Sequence, residues 1–241
     1  IPLHLFKNRN FVVISALVFV FVLAIMGSLS SFPFFSQNVL GLTPTESGYL
    51  NLPIMVGAIG ASVIAGRVMN KFSYRNIYAV SFIIPMIGFY LLTGITAHTS
   101  IVTFIIYFII LGLGFGALFN NALIVQESVE KENVGIAQSA VTLFQSIGMT
   151  IGFSLFGSLL ATKITSGMKS LAGSLSMDQI LQLKNIDNGS IPTNLDSGLL
   201  EKVKTVFTHA FQDLYWVSFA LAILTFLICW GLKKEILIKK D

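Results

Sequence analysis

Two kinds of residue in this sequence could do chemistry: three cations gathered in one short turn, and amides and hydroxyls scattered through apolar runs. The cations are Arg67, Lys71 and Arg75, in the stretch Gly66-Arg67-Val68-Met69-Asn70-Lys71-Phe72-Ser73-Tyr74-Arg75. No Asp, Glu, Lys or Arg occurs from Leu50 to Ala65 or from Asn76 to Gln126, so the three mark a place where water must be. Gly66 allows two helices to approach at the turn, and Asn70 suits the start of the helix that follows. The neutral groups are Gln37, Asn51, Asn120, Asn121, Gln126, Gln138, Thr142 and Gln145. In hydrocarbon each would be left unsatisfied unless it faced another helix or a water-filled cavity. They must look inward, and both interhelical hydrogen bonding and substrate contact meet that requirement. Asn120 and Asn121 are successive, about 100° apart on a helix, so at most one reaches a cavity. Phe19, Phe21, Phe32, Phe34 and Phe35 form an aromatic load suited to flat lipophilic molecules and equally suited to facing lipid.

Several chemistries lack their parts. His4, His98 and His209 lie far apart at span edges or in loops and make no metal constellation. There is no Gly-x-Ser-x-Gly and no pair of intramembrane aspartates, so neither a serine nor an aspartyl intramembrane protease fits. A single cysteine, Cys229, offers no disulfide framework or thiolate site. No cofactor is implied. Glu46 and Glu127 sit at span ends and Glu130, Lys131 and Glu132 in a turn, where they read as solvated loop charges or helix-end complements. A titrating intramembrane carboxylate is absent from these 241 residues.

The elements that hold these groups are membrane spans. Hydrophobic residues make up 54% of the chain and charged ones 11%, against about 25% charged in a soluble domain, with mean hydropathy +0.82. A net charge of +4 does not imply nucleic acid, because the cations are interleaved with spans rather than gathered on one face. Six apolar runs reach the roughly 20 residues that a bilayer asks for, near 11–35, 48–66, 76–97, 101–126, 134–162 and 212–232. Pro53 falls in the first turns of the second run, and Pro33 and Pro85 lie inside the first and third. With six spans, Lys7, Arg9, Arg67, Lys71, Arg75, Lys131, Lys233, Lys234, Lys239 and Lys240 come out on one side, which makes both termini cytoplasmic. The segment 163–211 is then an extracellular excursion. It holds a short helix over Met177–Leu183, a turn at Asn188-Gly189, and an amphipathic stretch over Leu199–Phe211 that runs into the last span. Gly57 and Gly60, the run Gly112 to Gly116, and Gly148, Gly152 and Gly157 place small residues where helices touch or bend. Ile1 as the first residue points to a piece of a longer polypeptide.

The basic turn resembles the cytoplasmic-loop signature of the major facilitator superfamily of secondary transporters. Gly66, Val68, Lys71 and Arg75 match, while Asn70 stands where that signature has Asp and Ser73 where it has Gly. The whole chain is similar to the C-terminal six-helix half of the fourteen-span drug:proton antiporter branch. Leu5 to Phe11, Phe34 to Pro44, Leu111 to Gly116, Gly135 to Ser139 and Gln145 to Gly148 carry that likeness in order and spacing. Many relatives have Arg-Gln where Gln145-Ser146 stands here. The resemblance implies an all-α polytopic membrane protein in which residues 1–241 form one six-helix bundle of two inverted three-helix units, 11–97 and 101–232. The first and fourth helices would line a central cavity with Phe34, Asn51, Asn120 and Gln145 as candidates. It further implies proton-coupled efflux of small lipophilic, often cationic substrates across a bacterial cell membrane. Protons would bind in an N-terminal half lying outside this chain. A lipid or amphiphile exporter, and a half-size six-span protein acting as a homodimer or non-transporting subunit, fit the same residues.

Overall fold

The computed structural model of the chain describes residues 3–68, 73–115, 124–126, 129–173, 175 and 196–232. Among these the structure is all α. A 3-10 turn at Leu3–Lys7 precedes α1 (Arg9–Asn38), α2 (Pro44–Tyr49), α3 (Leu52–Val68), α4 (Tyr74–Thr93), α5 (Ile101–Gly114), α6 (Val134–Ala172) and α7 (Ser197–Cys229). Five helical segments are long and apolar enough to cross a bilayer, α3 counted together with α2, and α5 is apolar throughout its 14 described residues.

The ends have local causes. The Asn8 side chain accepts from the Phe11 N–H and opens α1, and Ser100 does the same for α5 through Thr103. A capping box opens α2, with the Thr43 hydroxyl receiving the Glu46 N–H and Glu46 receiving the Thr43 N–H. Gly41, at φ +72°, is the one positive-φ residue described, and it lets the chain turn back so that the Leu42 N–H reaches the Ser36 carbonyl. Below it the buried hydroxyls of Ser36 and Ser47 bond to each other and tie α1 to α2. Helix α4 begins at Tyr74 behind Ser73, whose hydroxyl makes no cap bond, and Asn70, expected to suit this helix start, lies outside the described residues. Pro33 and Pro85 lie inside α1 and α4 as expected.

Helix α6 runs through 162 to Ala172, 39 residues in all, and α7 starts at Ser197, so the amphipathic stretch Leu199–Phe211 runs into the last span as one helix. At about 1.5 Å per residue they measure about 58 and 50 Å, well beyond an apolar layer of about 30 Å. The flanks of the 163–211 excursion are therefore helical continuations of the spans, tied by a 2.7 Å Lys163–Asp213 ion pair. Half-exposed as it is, that pair adds little stability. The expected helix at Met177–Leu183 and the Asn188-Gly189 turn lie outside the described residues.

Packing follows an exchange between the two three-helix units. The first helix of the first unit, α1, packs on α6 and α7, the second and third of the other unit; α5 packs on α3 and α4 in the same way, and α4 meets α7. Lipid is as apolar as leucine, so such seams depend on close van der Waals fit more than on water exclusion. Glycine supplies the fit in equivalent places. A Cβ on Gly148 would lie 2.6 Å from the Phe19 carbonyl oxygen of α1, and one on Gly152 2.6 Å from that of Leu23. Across the other seam Gly57 of α3 and Gly112 of α5 face each other's backbones. Gly60 and Gly157 have open space beside them, so the small-residue pattern at those two positions does not mark a contact.

The core between the seams is aromatic. Phe21 meets Phe82 and Phe115, Phe32 meets Phe104 and Phe108 at 5.4 and 4.5 Å, and Phe35 meets Phe211 at 5.0 Å. Phe21, Phe32 and Phe35 are fully buried, so they serve neither lipid nor substrate. On the basic side Arg9 Nε donates to the Gly231 carbonyl at 2.7 Å, and the Arg75 guanidinium lies 5.1 Å over the Trp230 ring. At the opposite end Gln212 Nε2 donates to the Ile95 carbonyl at 2.6 Å and pins α7 to the α4–α5 connection. Gln212→Leu is expected to cost about 1 kcal/mol and lower the thermal midpoint by a few degrees, measured on the purified full polypeptide.

Candidate functional site

The outward face of α6 stands apart from the other spans because it is polar along one flank. The helix buries only a narrow strip, Ala137, Ala140, Val141, Gly148, Gly152, Phe156 and Leu160. At about 100° per residue the rest divides in two. Ile136, Leu143, Ile147, Ile151 and Leu155 are exposed on one flank. Gln138, Thr142, Gln145 and Met149 follow i, i+4, i+7, i+11 spacing along the other, bordering the seam with α1.

Most hydroxyls on this outward surface are satisfied locally. Ser139, Thr142, Ser146 and Thr150 each donate to the carbonyl four residues back, at 2.8 to 3.0 Å. The back-bonding lets the helix carry hydroxyls through an apolar layer while their oxygens still accept. The two amides differ. Gln138 is half-buried and its Oε1 has no hydrogen-bond partner among the described residues, whereas Gln145 is exposed. No Asp, Glu, Lys, Arg or His falls between Val134 and Thr162, so the flank acts by dipoles and shape rather than by charge. Among the described residues no cluster of His, Cys, Asp and Glu could hold a metal.

The three cavity candidates among the described residues, Phe34, Asn51 and Gln145, do not converge. Gly148 lies over Phe19, which places Gln145 toward the basic end of α1; from Phe19 to Phe34 the axis advances about 22 Å. Phe34 is half-buried and stacks on Phe207 of α7, centroids 5.6 Å apart and planes at 16°, so its ring is occupied by the fold. Asn51 sits in the turn before α3, its N–H bonded to the Gly48 carbonyl, at the end of the layer rather than within it. Asn120 lies outside the described residues, as do Asn70 and Lys71 of the basic turn. Gly66 closes α3, and Arg75 serves the contact with Trp230. Of the three described candidates, Gln145 holds the most open position. Reading the sequence missed Ser139, Ser146 and Thr150, whose shared spacing with Thr142 was the available signal.

Residues 2–164, more than half the chain, match the sequence model of the Major Facilitator Superfamily. The chain belongs to that superfamily. Its six apolar helices are half of a facilitator fold, and it is a membrane transporter segment rather than an enzyme. The chain is 32% identical over 212 residues to multidrug transporter protein MdtP of Bacillus subtilis, covering 84% of this chain and 38% of that protein. It is 30% identical over 213 residues to multidrug resistance protein 3 of the same organism, 84% and 41% covered. Similarity to the tetracycline resistance determinant of Streptomyces rimosus is 24% over 260 residues, 97% and 75% covered. The chain thus spans about two fifths of the length of the two Bacillus relatives.

Proposed function

We propose that these residues are the C-terminal half of a multidrug efflux transporter of the fourteen-span drug:proton antiporter branch, in a bacterial cell membrane. In this reading the bundle rocks against an N-terminal half that carries the proton-binding acids. Lipophilic, often cationic compounds are exported by alternating access. The observation that carries the reading is the polar flank of α6. If the six helices stood alone, the Gln145 amide would face hydrocarbon, an expensive arrangement unless a cavity or a second bundle covers it. The outward face of α3, with Met55, Val56, Ile59 and Val63 all exposed, offers a second surface for that bundle.

The test is dye export driven by an imposed pH gradient, in proteoliposomes holding the full polypeptide. Export of lipophilic cations that collapses with the gradient supports the reading, and none from residues 1–241 alone is expected. Suppression of dye export by lipids that are themselves translocated would point instead to a lipid or amphiphile exporter. Both termini are placed in the cytoplasm. In a Cys229→Ser background, Arg67→Cys should therefore react with an impermeant maleimide only after the cells are permeabilised. Labelling of intact cells would invert the layout.

A further inference from the structure

Helices α3 and α4 are consecutive, yet each packs on α5 and they scarcely touch each other. Toward the basic side this leaves a crevice of about 340 Å³, lined by Ala61, Ile64, Ala65, Val80, Ser81 and, at its floor, Leu113. Ala61 and Ala65 on one wall and Ser81 on the other are its small side chains; the rest of the lining is aliphatic apart from Asn76. The crevice continues the α3 face that carries Gly57 onto α5, and it is distinct from the Met55, Val56, Ile59 and Val63 face. The rim is polar. Asn76 lines the mouth; Arg67, one turn beyond Ile64, does not line the crevice itself but is exposed at the same end of α3, with no hydrogen bond or ion pair among the described residues. A guanidinium at the membrane surface beside an apolar slot complements a phosphate carried on a hydrocarbon chain.

We propose that this crevice seats one acyl chain of an anionic phospholipid from the leaflet on the basic side, its phosphate held by Arg67 and Asn76. The chain replaces the helix-to-helix contact that α3 and α4 lack, and lipid identity thereby bears on how firmly α3 is held. Neutral phospholipid would fill the slot without the charge contact and be retained less well.

Brominated acyl chains test this. A bimane placed at Ser81→Cys in the full polypeptide, with Cys229→Ser, reports quenching in nanodiscs of graded composition; Leu227→Cys, exposed on α7, is the reference position. Dibrominated phosphatidylglycerol should quench the Ser81 probe at about one fifth the mole fraction that dibrominated phosphatidylcholine requires. Arg67→Gln should bring the two lipids to parity, and Arg67→Lys should keep the preference. At Leu227 the lipids should quench alike. Equal quenching at Ser81 by both lipids in the unmodified rim, or a preference that survives Arg67→Gln, would overturn the proposal. So would no quenching at all, which would mean that another part of the protein fills the slot. Since Arg67 is exposed, its variants are expected to fold, and Ala61→Leu, which narrows the slot, should reduce quenching by both lipids.

Discussion

Gly152→Leu is expected to remove nearly all folded protein from the membrane, whereas Gly157→Leu, five residues further along the same helix, should leave expression near the parent level. The two glycines are equal in the sequence and unequal in the structure. Gly152 is buried, and a Cβ there would sit 2.6 Å from the Leu23 carbonyl oxygen and 3.1 Å from its Cα. Both are backbone atoms of α1, which is held in turn by α7 and by the aromatic core, so no rotamer change relieves the clash. The helices must separate along the seam, which also lifts Gly27 off Phe156. Overpacking typically costs 1–3 kcal/mol where side chains can yield, and about that or more where only backbone can move, out of a total stability on the order of 5–15 kcal/mol. Gly157 has nothing within 4 Å of a built Cβ, so leucine there only adds surface to lipid. Fluorescence-detected size exclusion on the full polypeptide reads both variants. Equal yields from the two would show that the α1–α6 seam is not the close backbone contact described.

The contrast shows which parts of the fold were legible in the residues. Charges gave the turns, because a cation must find water, and Arg9, Arg67, Arg75 and Lys131 do share one side. Helix ends at the opposite surface were less legible. Hydropathy drops at Lys163, but backbone hydrogen bonding is indifferent to hydropathy, and from Lys163 to Ala172 there is no proline and one glycine, Gly167, which lies close against Val206 of α7, so α6 continues ten residues past its apolar run. Phenylalanines were illegible for a different reason. Helix α1 is apolar almost all round and shows no periodicity to separate Phe21, Phe32 and Phe35, which are buried in the core, from half-exposed Phe19. The site suffered from the same lack of contrast. Gln138, Thr142 and Gln145 are visible as polar residues in a span, but only the buried glycine strip beside them fixes which flank they occupy.

Exchanging Gln145 for leucine should leave the protein folded and lower export of lipophilic cations roughly tenfold. Leucine preserves the side chain's length and helix propensity, and Gln145 is exposed, so no packing is lost within the bundle. What disappears is an amide able to donate and accept on the flank where the Gln138 Oε1 has no partner among the described residues. A substrate or a facing helix that used this amide would lose a hydrogen bond in a site poor in water, worth on the order of 1 kcal/mol and more where its counterpart stays buried and unpaired. Ser146→Ala is the matched control, since that hydroxyl is already committed to the Thr142 carbonyl at 3.0 Å; its export should change less than twofold. Were the flank turned toward lipid instead, Gln145→Leu would remove a polar group from hydrocarbon, raise thermal stability and leave export untouched. Export rate and melting midpoint therefore move in different combinations under the two placements, and measuring both on one purified variant decides between them.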